Sequence, residues 1–298
     1  MKKKLRNIHG VLLVDKPKGI SSRQAVSQVK YIYQAKKAGH TGSLDPLATG
    51  MLPICLGEAT KFADYLLSAQ KNYQVVAKLG QTTNTGDAEG EIIQEKLVTE
   101  CMLANIDNIL KHFRGNIQQI PPMYSAIKHQ GQPLYKLARR GQTVDRAPRE
   151  VTIYELERLS NDNPLQLSLQ VVCSKGTYIR TLVEDIGAAL GCGAHVLELR
   201  RLQVHTYNID QMLTIDQIVG DIDGLLLPMT TLTEYLPTAV ISQALVQRLR
   251  QGIAVEADFK SENTEGKWQI LTETGEFLGL GERLDDNKIS PKRLLVGL

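Results

Sequence analysis

An aspartate precedes a proline in the stretch Gly39-His-Thr-Gly-Ser-Leu-Asp45-Pro-Leu-Ala-Thr-Gly50. A carboxylate held in a glycine-punctuated loop can act as a covalent nucleophile or as a base. The same pattern has a plainer use, because Asp-Pro starts turns and an aspartate caps nearby amides. His40, taken alone, is an ordinary polar loop residue. Residue types and spacing leave that choice open, but they exclude other chemistries. No G-x-G-x-x-G follows a strand and opens a helix, and no P-loop motif is present, so dinucleotide and nucleoside-triphosphate readings fall away. H-E-x-x-H and G-x-S-x-G are also absent. Cys55, Cys101, Cys173 and Cys192 form no C-x-x-C and no zinc-type spacing. They read as free, buried thiols of a reducing compartment.

Such a loop must be held by its neighbours. Residues 10–14 read as a short buried strand. Ser21-Ser22 offers an N-cap to a helix carrying Ala25, Val26, Val29, Ile32 and Tyr33 at helical spacing. The loop itself runs from Gly39 to Gly50, and a second helix is expected over 58–67. Tyr73, Val75, Ala77 and Leu79 alternate with their neighbours, which predicts a strand; a helix is expected over 99–113. Residues 165–173 alternate most cleanly. The turn Ser174-Lys175-Gly176 leads to a helix ending near Leu190, with Leu182, Val183, Ile186 and Leu190 inward, and a strand follows over 196–204. After Pro237 come a helix through Leu245 and Leu249 and short strands over 268–271, 277–280 and 294–296, a small and mostly β module. Strands and helices mix without regular βαβ alternation, so an α+β fold is expected over a doubly wound one.

Charge points towards the partner. The 298 residues hold 35 Lys and Arg against 32 Asp and Glu, a net +3, and their number suits about two domains. The first forty residues carry ten basic side chains (among them Lys2, Lys3, Lys4, Lys16 and Lys18) and one acid, Asp15. A basic segment on a near-neutral body suits a polyanion. Residues 120–150 add six basic side chains against two acids, interleaved with Tyr124 and Tyr135 and interrupted by Pro121, Pro122, Gly131, Pro133, Gly141 and Pro148. That composition fits an RNA-gripping loop or a solvated surface insertion. The apolar stretch Val11–Val14 falls short of the ~7–15 residues of a signal-peptide core. No apolar run approaches the ~20 residues of a membrane helix, so a soluble, cytoplasmic protein without membrane contact is expected.

The wording of the central loop goes further. Gly39 to Gly50 closely resembles the catalytic motif of the TruB family of tRNA pseudouridine synthases. Gly10-Val-Leu-Leu-Val-Asp-Lys-Pro-Lys-Gly19 is similar to the family's first motif, and Leu52 to Phe62 with Lys71-Asn-Tyr73 to the segment after the loop. Pro122-Met-Tyr-Ser-Ala126 resembles the start of its RNA-binding insertion. Cys173-Ser-Lys-Gly-Thr-Tyr-Ile-Arg-Thr181, Gly191 to His195 and Leu199-Arg200-Arg201 resemble later motifs. The resemblance runs in order over about residues 8–205; Ser43 departs from the alanine common at its position.

The resemblance implies a pseudouridine synthase fold: a mixed, mainly antiparallel sheet flanked by helices in residues 1–236, with an insertion at about 120–150, and a PUA-like module in 237–298. It implies isomerisation of uridine 55 in the T loop of tRNA, with no cofactor, no metal and no guide RNA, by a protein that acts as a monomer. Asp45 matches the catalytic aspartate, which attacks C6, attacks C1′ or removes a 2′ proton. Arg180 matches its partner, and Tyr73 the tyrosine that stacks on the base and takes part in the late proton transfer. His40 matches the residue that fills the space of the flipped base. Tyr178 and Leu199 match pocket residues. Lys61 is expected at a backbone phosphate, as are Tyr124, Lys128, Arg139 and Arg140 of the insertion against RNA. Lys16, grouped with them, is read with Pro17 as support behind the site. Two other readings compete: a tRNA-binding folding factor with dispensable chemistry, and a glycosidic hydrolase acting on nucleosides.

Overall fold

The computed structural model describes residues 5–261, 266–284 and 286–296, so Lys2, Lys3 and Lys4 of the basic first segment lie outside the described residues. In chain order the first strands are β1 (Gly10–Lys16), β2 (Ala38–His40), β3 (Thr49–Leu56), β4 (Lys71–Leu79), β5 (Gln81–Thr83) and β6 (Ile92–Glu95). Then come β7 (Gly115–Gln119), β8 (Lys128–His129), β9 (Gln132–Pro133), β10 (Arg149–Leu159), β11 (Gln166–Cys173) and β12 (Ala194–Val204). The helices among them are α1 (Ser22–Ile32), α2 (Ala63–Leu67), α3 (Glu100–Ala104), α4 (Ile106–Lys111), α5 (Leu134–Ala138) and α6 (Ile179–Leu190).

Strand β4 sits near the middle of an eight-stranded sheet of order β1-β3-β12-β4-β11-β10-β7, with β2 paired to β3. Its period-two pattern puts Tyr73, Val75, Ala77 and Leu79 on one buried face. Only the short β3–β12 contact is parallel, pairing Thr49 with Arg200 and Gly50 with Arg201. The other pairings within this sheet are antiparallel, so the fold is α+β with a mixed, mainly antiparallel sheet. One face packs against α1, α4 and α6 through Leu12, Val29, Val75, Leu110, Leu169 and Ile186. The other face carries Val11, Leu13 and Met51 against Phe62, Leu66, Leu232, Phe277 and Leu280. Strand β1 is apolar without alternation because both its faces are covered. Its outer edge is covered too: Val11 exchanges backbone hydrogen bonds with Leu227 (3.0 and 2.8 Å), and Leu213 donates to Leu13 (2.9 Å). A returning segment therefore removes an exposed strand edge.

Several elements differ from the expectation. The loop is shorter than 39–50, because Ala38–His40 pairs with β3 and Thr49 already belongs to it. The helix expected over 58–67 breaks into a 3-10 turn, Gly57–Lys61, and α2, where Phe62 leaves helical geometry to set its ring 5.3 Å from that of Phe277. The helix over 99–113 breaks at Asn105, after which Ile106 and Leu110 are buried. Cys101 is exposed, not buried; the other three cysteines are buried, and all four are free.

The remaining chain forms a second sheet: β13 (Thr238–Ile241), β14 (Val255–Glu256), β15 (Asp258–Phe259), β16 (Lys267–Thr272), β17 (Phe277–Arg283) and β18 (Lys288–Leu294), with α7 (Val246–Arg250). Trp268, Ile270, Leu249 and Ile289 form its core. Strand β13 precedes the helix and was not expected; the last strand lies over 288–294 rather than 294–296. Among the described residues no helix is long and apolar enough to cross a membrane.

Gly50 sits at φ +95°, and a Cβ there would lie 2.2 Å from the Arg201 carbonyl oxygen. Gly50→Ala is expected to lower stability by at least about 2 kcal/mol, from left-handed strain and forced separation of β3 from β12. Guanidinium unfolding of the two proteins checks this, and equal midpoints would contradict it.

Candidate active site

The loop between β2 and β3 is tied down on three sides. From α1, the Ser22 hydroxyl accepts from the Leu44 amide (2.7 Å) and donates to the Leu44 carbonyl (2.9 Å). Beneath the loop, the fully buried Lys16 donates to the carbonyls of Ile20 (2.7 Å), Pro17 (2.9 Å) and Pro46 (3.4 Å). From β12, the buried Arg201 donates to the carbonyls of Met51 (2.7 Å) and Gly42 (3.1 Å). These contacts leave the Asp45 side chain 42% exposed, facing an open cleft of about 780 Å³.

Opposite the loop, Arg180 projects from the first turn of α6 and is only 5% exposed. Its Nε donates to Asp45 (2.9 Å), Nη1 to the Thr85 carbonyl (2.8 Å) and Nη2 to the Tyr124 carbonyl (2.7 Å). The buried carboxylate of Asp87 lies 3.8 Å from the same Nε and accepts from the Thr85 hydroxyl (2.7 Å) and the Glu89 amide (3.1 Å). One guanidinium thus serves two carboxylates. Crowding by protein atoms pushes the Asp45 carboxyl above the usual aspartate range; Arg180 pulls it back and Asp87 pushes it up again.

Tyr73 of β4 lies in the cleft wall, 8% exposed, and burial raises its phenol above the usual range. His40 is held with its Nδ1 accepting from the Gly42 amide (3.3 Å); burial and then the Arg201 charge lower its basicity, which favours the neutral ring. Tyr178, the N-cap of α6, is gripped by Gln119, which donates to its carbonyl (3.0 Å) and accepts from its amide (2.7 Å). Leu199, Tyr124 and Arg139 also line the cleft, and Arg139 stacks 5.7 Å from the Tyr135 ring centre.

The fold therefore gathers Asp45, Tyr73, Arg180, His40, Tyr178, Leu199, Tyr124 and Arg139 around one cleft, and four predicted residues elsewhere. Lys16 has no free face for RNA: it is buried, with its N–H groups spent on carbonyls, and burial lowers it to about 8. Lys61 lies outside the cleft, 29% exposed, where it pairs with Glu58 (2.5 Å) and donates to the Leu294 carbonyl (3.2 Å), bracing the second sheet. Lys128 is exposed on the β8–β9 hairpin, and Arg140 lines a separate hollow with His129 and Gln142. Sequence reasoning assigned no role to Arg201, Asp87 or Gln119, and gave Ser22 only as part of a helix cap. Arg201 and Ser22 lay in stretches already singled out; Asp87 and Gln119 act through fold contacts without a local signature. Among the described residues no three His, Cys, Asp or Glu side chains are grouped to hold a metal ion.

Comparison with known proteins adds identity to this geometry. The model of the TruB family pseudouridylate synthase N-terminal domain matches residues 30–179. That of the tRNA pseudouridylate synthase B C-terminal domain matches 180–233, and that of the pseudouridine synthase II TruB C-terminal region matches 237–295. A protein of Aeromonas salmonicida (strain A449) named tRNA pseudouridine synthase B is 47% identical over 304 residues, covering 97% of this chain and 94% of the relative. One of the same name from Coxiella burnetii (strain Dugway 5J108-111) is 48% identical, covering 97% and 96%. Among solved structures, a Cbf5-Nop10-Gar1 complex aligns with TM-score 0.73 at 27% identity, over 96% of this chain and 84% of that one. An H/ACA RNP bound to a substrate RNA containing 2′-deoxyuridine aligns with TM-score 0.72 at 25% identity, over 97% and 85%.

The site electrostatics are testable in the free protein. The Asp45 carboxyl signal, followed by carbon NMR, is expected to titrate above the usual aspartate range. Arg180→Met removes the opposing cation and is expected to move that midpoint higher still; a downward move would contradict the assignment.

Proposed function

This chain belongs to the TruB family of pseudouridylate synthases, and on that premise we propose that it converts uridine 55 in the T loop of tRNA to pseudouridine. It is an isomerase: the N1–C1′ bond breaks, the uracil turns, and a C5–C1′ bond forms. The supporting observation is a carboxylate open to a cleft, backed by a buried guanidinium and flanked by a buried tyrosine. Whichever of C6, C1′ or the 2′ proton Asp45 meets first, it must be ionised, and Arg180 favours that form against the burial that opposes it.

A uridine packed in a T loop must leave its stack to reach this carboxylate. Tyr73, Tyr178 and Leu199 form walls against which a flipped base can rest, offsetting about 1–3 kcal/mol of lost stacking. His40, favoured as the neutral ring, is suited to the space the base vacates rather than to charge transfer. Residues 120–150 fold over the T arm, with Tyr124 and Arg139 at the cleft and Lys128 and Arg140 facing the arm beyond it. The substrate is tRNA alone, met by a monomer in the cytoplasm without a guide RNA. Relatives near 47% identity across almost the whole chain bear the name tRNA pseudouridine synthase B, whereas the H/ACA-type neighbours are 25–27% identical.

Incubating an unmodified tRNA transcript with this protein, then mapping carbodiimide adducts by primer extension, is expected to give one stop, at the T-loop uridine. Asp45→Asn should abolish the stop and keep salt-sensitive tRNA binding. Binding without a stop from the unaltered protein would leave an RNA-folding factor, and released uracil would mark a hydrolase. Phosphate contacts should make the logarithm of the affinity fall linearly with that of salt concentration, by about 0.9 per duplex phosphate neutralised. Arg139→Ala should flatten this slope.

A further inference from the structure

Arg201 is a buried cation, 1% exposed, and among the described residues no carboxylate pairs with it. An uncompensated charge at that depth is costly to keep. Its partners are the carbonyls of Met51 and Gly42, with Nη1 lying 3.5 Å from the Ser43 carbonyl and 3.5 Å from the Tyr73 hydroxyl. Register explains the last contact, since Arg201 is the cross-strand neighbour of Tyr73 and stands at a bulge of β12. Bulges of this kind re-aim side chains beside active sites. The guanidinium fork thus touches both the loop carrying Asp45 and the oxygen of Tyr73.

We propose that Arg201 is a positioning residue for the proton transfer at Tyr73, fixing the Tyr73 oxygen where the C5 proton of the turned uracil leaves. This rests on the pseudouridine reading above. In that step the C5–H bond breaks, its electron pair becomes the C5=C6 double bond while the C6=N1 π pair withdraws onto N1, and the proton passes to the Tyr73 oxygen as the phenol gives its own proton to water. N1 gains a proton from water and the Tyr73 phenol ends as it began, so atoms and charge balance. Cys173 of β11 and Asp45 of the loop also face this phenol, and Lys71 lies two residues before Tyr73 on the same face of β4. Lys71 is occupied by the carbonyls of Ala69 (2.6 Å) and Leu67 (3.0 Å), and burial pushes the Cys173 thiol up to about 11. Burial raises the Tyr73 phenol, and the Arg201 charge is the largest influence against that rise.

Two variants separate charge from shape: Arg201→Lys keeps the cation, and Arg201→Gln keeps a planar N–H donor without charge. Each is run in single turnover on tRNA transcripts bearing uridine or uridine deuterated at C5, with tRNA affinity measured by filter binding. Arg201→Gln is expected to slow product formation by about 10- to 100-fold at near-normal affinity. It should also show a C5 isotope effect larger than that of the unaltered protein, with Arg201→Lys restoring part of the rate. In a Tyr73→Phe background, either change should cost no further rate. Should one variant fail to fold, the other still gives the isotope effect. An isotope effect that does not change in a variant that binds tRNA normally would overturn the proposal, as would losses that multiply with that of Tyr73→Phe. No pseudouridine from the unaltered protein would instead overturn the parent reading, and this inference with it.

Discussion

The site depends on a guanidinium that cannot be left alone. Arg180 is almost fully buried, so each of its N–H groups must find an acceptor. It finds Asp45 from the loop after β2, Thr85 from the turn after β5 and Tyr124 from the insertion, with Asp87 alongside. Four separate stretches of chain are therefore placed relative to one another by the desolvation of one side chain. The carboxylate proposed for the chemistry, Asp45, is the most exposed of these ions, and Arg180 favours its ionised form against burial and Asp87.

The support around this group is built from further buried cations rather than from ion pairs. Lys16, Lys71 and Arg201 each spend their donors on backbone carbonyls of the loop or of the turns beside it. A lysine or arginine used this way fixes irregular backbone that no sheet ladder reaches, since loop carbonyls buried without donors would be left unsatisfied. The arrangement is poor for stability, because apolar residues of similar volume would stabilise such positions more cheaply. Its gain is precision at the cleft, where a misplacement of about 1 Å can slow chemistry a hundredfold.

The second sheet belongs to the same construction. Phe62, Leu66 and Met51, on the reverse of the strands that carry the site, pack against Phe277 and Leu280 of β17. Lys61, Glu58 and Leu294 add polar ties at the same seam, with Arg293 donating to the Lys61 carbonyl and Glu58 accepting from the Val296 amide (2.9 Å). A basic side chain that looks free on a helix is thereby also a brace between the two sheets.

Much of this protein was legible in its residues. Period-two alternation marked β4 and β11, capping residues marked the start of α1, and Gly191 in a left-handed conformation ends α6 where the apolar spacing stops. The wording of the loop around Asp45, with Tyr73 and Arg180 far along the chain, carried the family resemblance. These features are local, since each is set by neighbouring residues acting on the same stretch of backbone. What the tertiary structure alone decided was which charges face solvent and which are consumed. Lys16 and Lys61 look like Lys128 in sequence, yet the first two donate to backbone carbonyls and the third stands exposed on a hairpin. Asp87 and Arg201 carry no local mark of their roles, because those roles exist only once distant strands and turns close around a desolvated charge. Hydrophobic pattern is written along the chain, whereas the partner of a buried ion is chosen by the fold.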